Sequence, residues 1–172
     1  MSTIGGLPAH ILLNHLVVVL GPLVAMLAIM CALWPAARQR LIWLTLALAV
    51  ITLVVTPLTA SSGEWLEGRL GKSPEVETHR ELGESLAYYV AAQAVAVTLL
   101  TIVHIRHVRE RTIKSGVRAL VTLLVISAAA ATLVQTYRVG DSGAQAAWGS
   151  VASAPAELRL SAELFGYRTP VE

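Results

Sequence analysis

The stretch GLPAHILLNHLVVVLGP, residues 6 to 22, sets His10, Asn14 and His15 at the mouth of a long apolar run. Polar and ionisable groups inside apolar spans are costly, and where they occur they mark a site or a buried network. In this chain they are unevenly placed. His79, Tyr88, Tyr89 and Gln93 fall in the matching half of a later apolar segment, Thr56 and Thr59 in another, and Thr132, Gln135, Thr136 and Tyr137 in the last. The opposite halves hold little beyond hydroxyls, Cys31 and, near an end, His104. Haem ligation is the chemistry that suits these residue types, because a membrane b-haem takes one axial imidazole from each of two helices. His10 and His15 lie about 140° apart round a helix and about 7.5 Å apart in rise, so they do not easily grip one metal together. Each needs a partner on another helix. His79 lies at the right depth, better matched to His10 than to His15. The expected cofactor is haem b, with His10, His15 and His79 as candidate metal ligands and Asn14, Tyr88 and Gln93 lining the pocket. The competing reading is structural: histidines at helix ends also bond water or carbonyls, and the cluster is then a satisfied polar network.

Other chemistry has no footing in the chain. No Walker loop, dinucleotide fingerprint, serine elbow or HExxH zinc motif occurs, and no catalytic residue is assigned. No acidic residue lies deep in an apolar segment, so proton-coupled transport lacks its usual carboxylate. Nothing suggests nucleic acid. Cys31 is the sole cysteine, which excludes an internal disulfide and an iron–sulfur quartet. Met26 and Met30 read as core, and His104 and His107 flank Arg106 in a basic loop.

The elements that position the histidines follow from composition. Of the 172 residues 55% are hydrophobic and only 14% charged, far from the usual quarter in soluble domains. Four apolar blocks, roughly 11–34, 41–60, 84–105 and 117–137, each reach the length a bilayer crossing needs, about 20 residues. The fold expected is an all-α, four-helix membrane bundle with helices at about 8–34, 41–60, 78–106 and 117–138. The membrane domain then spans 1–138 and a polar tail 139–172. Block 11–34 lacks the basic flank of a signal peptide. Arg38 and Arg40 in one connection, and Arg106, Arg109, Arg111, Lys114 and Arg118 in another, place both short loops in the cytoplasm. Both termini and the acidic 61–84 loop then face outward, in a multi-pass protein of the bacterial cytoplasmic membrane. Pro22 is expected to kink the first helix and Pro57 to bend or end the second. Ser61 to Glu64 and Thr78 to Glu81 read as capping boxes, the latter opening helix 3. Trp65, Leu66 and Leu70 suit a short interfacial helix. The small residues of helices 3 and 4 suggest a tight antiparallel pair. Gly140 and Gly143 read as a turn, and 156–165 as a short surface helix.

The opening resembles that of a bacterial family of four-helix membrane proteins catalogued as a domain of unknown function (family 2231). The shared pattern is Leu-Pro-x-His-x-x-x-x-His, here Leu7, Pro8, His10 and His15, with a later His-x-x-x-Gly at His79 and Gly83. Family members often carry Gly-His-Ser-Gly-Ala after the fourth helix, where this chain has Gly140, Asp141, Ser142, Gly143 and Ala144. The likeness covers roughly residues 5–149. It implies a membrane protein with a redox role, since such domains occur joined to Rieske or cytochrome c domains. If the family His at position 141 is a ligand or relay, this chain has lost it, though an Asp can still orient an imidazole.

Two functions are expected from these readings. One is a b-haem-binding electron-transfer subunit serving a membrane or outer-face redox partner or a respiratory complex. The other is a non-catalytic accessory subunit that docks a partner through its outer loop and tail, with Trp148, Leu158, Leu160, Leu164, Phe165 and Tyr167 as docking residues.

Overall fold

A computed structural model describes residues 3–4, 7–70 and 73–153. Four long helices, α1 (Ala9–Leu33), α2 (Pro35–Leu70), α3 (Pro74–Val108) and α4 (Ser115–Ser153), follow a two-residue antiparallel strand pair, β1 (Thr3–Ile4) and β2 (Leu7–Pro8). All four helices are long and apolar enough to cross a membrane. Each packs against its sequence neighbours, and α4 closes on α1. The α3–α4 pair is the most extensive, while α1 and α3 face each other across the diagonal with few contacts.

The sequence dictates this inside-out arrangement. Bulky side chains such as Val19, Leu33, Trp34, Trp43, Val95 and Leu123 point outward and are exposed. Much of the interior is small: Ala25, Ala28, Cys31, Ala49, Ala94, Ala96 and Ala129 let the backbones approach closely. The main apolar core, which includes Val24, Ile42, Val97, Leu100 and Val125, lies toward the end where the basic connections meet. Toward the opposite end only Val17, Leu86, Val90 and Val139 form a second small core. That end is where the histidines gather.

Several local expectations are corrected. The α1–α2 connection is Trp34 alone, so the second helix starts at Pro35, not 41. Pro35 suits a first helical position, where its missing N–H costs nothing. Helix α2 runs through Pro57 to Leu70. The Ser61 hydroxyl donates to the Leu58 carbonyl (3.0 Å) and that of Ser62 to Thr59 (2.8 Å), so these serines bond back into the helix instead of capping a new one. Helix α3 starts before Thr78. Ser73 is its N-cap and accepts from the Val76 N–H (3.3 Å), Pro74 follows, and Glu75 and Glu77 occupy the first turn. The Thr78 hydroxyl instead donates to the Pro74 carbonyl, 2.9 Å away. Helix α4 does not stop at 138. Gly140 and Gly143 are helical, although each costs the helix about 1 kcal/mol relative to alanine. The tail therefore begins as helix. Its expected 156–165 segment, and Leu158, Leu160, Leu164, Phe165 and Tyr167, lie outside the described residues.

Candidate cofactor site

His10 opens α1, and His79 lies a turn inside α3. These are the diagonal helices, and the rings meet across the bundle with centroids 6.3 Å apart and planes at 83°. Of the two pairings considered from depth, His10 with His79 is the one the rings make. Each is held from the side by a different helix. His10 Nδ1 lies 3.0 Å from the Thr59 carbonyl of α2. His79 Nδ1 lies 3.1 Å from Ser142 Oγ of α4, and that hydroxyl donates to the Val139 carbonyl at 3.0 Å.

These partners set the tautomers. A carbonyl oxygen only accepts, so His10 must donate from Nδ1. The Ser142 proton is committed to Val139, so His79 also donates from Nδ1. In both neutral rings the lone pair then sits on Nε2, the nitrogen through which such imidazoles bind metals, while the anchored Nδ1–H fixes ring orientation.

Two glycines make room for the rings. A Cβ at Gly63 of α2 would sit 3.0 Å from Cε1 and Nδ1 of His10. A Cβ at Gly143 of α4 would sit 3.0 Å from Cε1 and 3.3 Å from Nδ1 of His79. Helix backbone thus lies directly against each imidazole. Both rings line a cavity of about 500 Å³ at this end of the bundle, within the roughly 300–1,000 Å³ of small-molecule sites. Asn14, Glu67, Arg80, Ala144 and Trp148 contribute to its wall. Arg80 donates to the carboxylates of Glu77 and Glu84 and faces Glu67 of α2 at 3.9 Å, which ties α3 to α2 at the rim.

The other expected site residues separate. Asn14 and His15 reach the cavity wall, but His15 is exposed and its Nδ1 bonds the Ile11 carbonyl of its own helix at 2.6 Å. Tyr88 does not line the cavity. It is 79% exposed on the outside of α3, because its position falls on the face turned away from the bundle. Gln93 is buried but too deep: it lies about 21 Å of helical rise below His79, beside Gly21 and Thr52. Its Oε1 has no hydrogen-bond partner among the described residues. Thr132 and Gln135 are spent on packing. Thr132 donates to the Ala128 carbonyl (2.9 Å) and the Tyr89 carbonyl (3.3 Å), and Gln135 Nε2 donates to Leu82 O and Ser85 Oγ of α3. Asp141 does not orient an imidazole. It is exposed, accepts from Gln145 Nε2 at 2.9 Å, and borders the α1 side of α4, about 100° round the helix from Ser142.

Ser142, Gly63 and Gly143 are site residues that the sequence does not single out, and Thr59, one of the polar residues at this end, enters through its backbone carbonyl. Ser142 and Gly143 sit inside the Gly-x-Ser-Gly-Ala stretch, whose glycines signal a turn by residue type alone. Placed on a helix, they fall on the face toward α3. Replacing Ser142 by Ala removes the acceptor for His79 while leaving the backbone alone, and a lost hydrogen bond of this kind costs about 1 kcal/mol. The expected outcome is a folded protein whose metal affinity at the pair falls roughly 10–100-fold, as for other groups that orient a ligating histidine. Titration with haem, followed by absorbance, checks it.

No family model, no curated protein and no solved structure matches this chain. Among the described residues no group of three or more His, Cys, Asp or Glu side chains is gathered to hold a metal ion. A zinc centre draws three or four ligands from the protein. The pair here suits a metal that brings its other ligands with it.

Proposed function

We propose that this chain is a multi-pass membrane protein that binds b-type haem between His10 and His79 and passes electrons to or from a partner at that end. The observation that carries this reading is the opposition of the two rings, each with Nδ1–H engaged and Nε2 left as the ligand nitrogen. The two imidazoles, one from α1 and one from α3 with centroids 6.3 Å apart, would be the residues that hold the group. The glycine backbones of α2 and α4 supply close walls that a Cβ would fill. When bound, the haem would supply one-electron chemistry at iron. The protein's part would be to hold both imidazoles through Thr59 and Ser142.

Orientation follows from charge. The connections bearing Arg38 and Arg40, and Arg106 to Arg118, lie together at the end away from the histidines, which supports the reading that this end faces a bacterial cytoplasm. The histidine end then faces outward, where a redox domain of another protein can approach.

An accessory role is the second reading, favoured by a specific observation: Thr132, Gln135, Ser142 and both histidines already have partners inside the bundle. The two readings separate on one measurement, the absorption spectrum of protein purified in mild detergent, oxidised and then reduced with dithionite. A Soret band that sharpens, with split α and β bands on reduction, is expected. A sample that stays colourless after expression with added haem overturns the haem reading and leaves the accessory one.

A further inference from the structure

At the opposite end of the molecule an open surface pocket of about 360 Å³ lies at the α3–α4 connection, lined by His107, Glu110, Arg111, Thr112, Ile113 and Arg118. We propose that it binds a phosphate group, most naturally the headgroup of an anionic phospholipid. The inference is independent of the haem reading.

Charge is the first argument. Two guanidiniums, an imidazole and a hydroxyl face the pocket, against the single carboxylate of Glu110. Among the described residues neither Arg111 nor Arg118 has a carboxylate within ion-pair distance, whereas Arg80 at the other end has three. Guanidinium is the group that best matches phosphate oxygens. The local backbone adds to this. Helix α4 starts at Ser115 with no acidic residue in its first turn, and Lys114, whose carbonyl takes the Val117 N–H at 3.0 Å, offers no capping oxygen. The positive end of α4 therefore joins the cations without a counter-charge from the chain.

The turn is also built to a fixed shape. Arg111 N–H returns to the Arg106 carbonyl (3.0 Å) and Glu110 N–H to His107 (3.1 Å), a Schellman-type closure of α3. Glu110 occupies the left-handed position at φ 51°, where glycine is usual. That conformation sets Arg111 at the pocket, next to the start of α4.

Surroundings favour a lipid as the source of the phosphate. Val117, Leu120 and Leu124 form an exposed apolar strip descending α4 from the pocket, and Val108 is exposed beside it on α3. A diacyl lipid with its phosphate at Arg111 and Arg118 would lay its chains along that strip. Basic pockets between helices on the cytoplasmic side are known headgroup sites.

The test is native mass spectrometry of the full chain, delipidated in detergent and offered phosphatidylglycerol, phosphatidylcholine or inorganic phosphate. Phosphatidylglycerol is expected to be retained in preference to phosphatidylcholine. The double variant Arg111→Gln/Arg118→Gln should weaken that retention roughly 10–30-fold, given what each cation near an anionic surface contributes. Inorganic phosphate that displaces the lipid, or binds alone with the same dependence on both arginines, would keep the site and make free phosphate its ligand. Arg38→Gln/Arg40→Gln is the control, since it removes the same charge from the same end. Equal loss in the two double variants, or equal retention of the two lipids, would overturn the proposal. Arg40, Arg111 and Arg118 are exposed and Arg38 is half-buried, and unchanged helicity by circular dichroism checks the fold of both double variants.

Discussion

His79→Ala is expected to abolish the split α and β bands of the reduced, haem-loaded protein and to lower its haem content, and His10→Ala to do the same, while His15→Ala and Tyr88→Phe leave both intact. The asymmetry is geometric. His10 and His79 are the two imidazoles that oppose one another, and losing either leaves one axial nitrogen where two are needed for a low-spin bis-imidazole spectrum. His15 is turned back onto its own helix and Tyr88 is on the outside, so neither touches the pair. Single-ligand variants can retain loosely bound, high-spin haem. The decisive quantity is therefore the split α and β bands of the reduced form, with haem stoichiometry beside it. Helicity should change little, and melting should fall only modestly, by about the 1 kcal/mol of the inter-helix hydrogen bond each truncation removes. If His79→Ala keeps a bis-imidazole spectrum and His15→Ala loses it, the pairing is wrong. If all of the variants are spectrally identical, the histidines hold no haem.

How far this site was legible in the sequence depends on which force places each residue. Helix existence was legible, because four apolar blocks of spanning length leave the backbone few other ways to satisfy its hydrogen bonds. Helix ends were less so. Ser61 and Thr78 look like caps, but a serine or threonine can equally bond back to a carbonyl within a helix, and only its neighbours decide which. The histidines were legible because imidazole stands out in an apolar run and depth can be counted in residues. Azimuth was not. Blocks that are apolar nearly all round carry almost no periodic signal to say which face looks inward, and this is why Tyr88 was placed in the pocket and lies outside it. Gln93 was assigned to the correct interior but the wrong level. Gly63 and Gly143 were opaque for another reason. Glycine in sequence signals a turn, and its use as a close-approach point within a helix depends on what the neighbouring helix presents.

That use of glycine yields a prediction with an internal control on each helix. On α4, Gly140 has open space where a Cβ would stand, whereas at Gly143 the Cβ would meet the His79 ring at 3.0 Å. On α2, Gly68 is open and Gly63 would meet the His10 ring at 3.0 Å. Alanine gains about 1 kcal/mol of helix propensity over glycine in a helix interior. Where nothing is met, that gain should appear, so Gly140→Ala and Gly68→Ala are expected to raise the melting temperature. At Gly143 and Gly63 the same gain is opposed by overpacking, typically about 1–3 kcal/mol. The neighbour can yield only by turning an imidazole off its Thr59 or Ser142 partner, which forfeits about another 1 kcal/mol. Gly143→Ala and Gly63→Ala should therefore melt at or below the parent temperature, and Gly143→Val well below it. The melting curves test the packing whether or not haem binds, and haem titration of the same four alanine variants tests the site. Weakened binding at Gly63 and Gly143 with parent-like binding at Gly68 and Gly140 ties the glycines to ligand geometry. A uniform rise in melting temperature across all four would mean that the rings have room to spare, and that backbone contact does not hold the imidazoles in place.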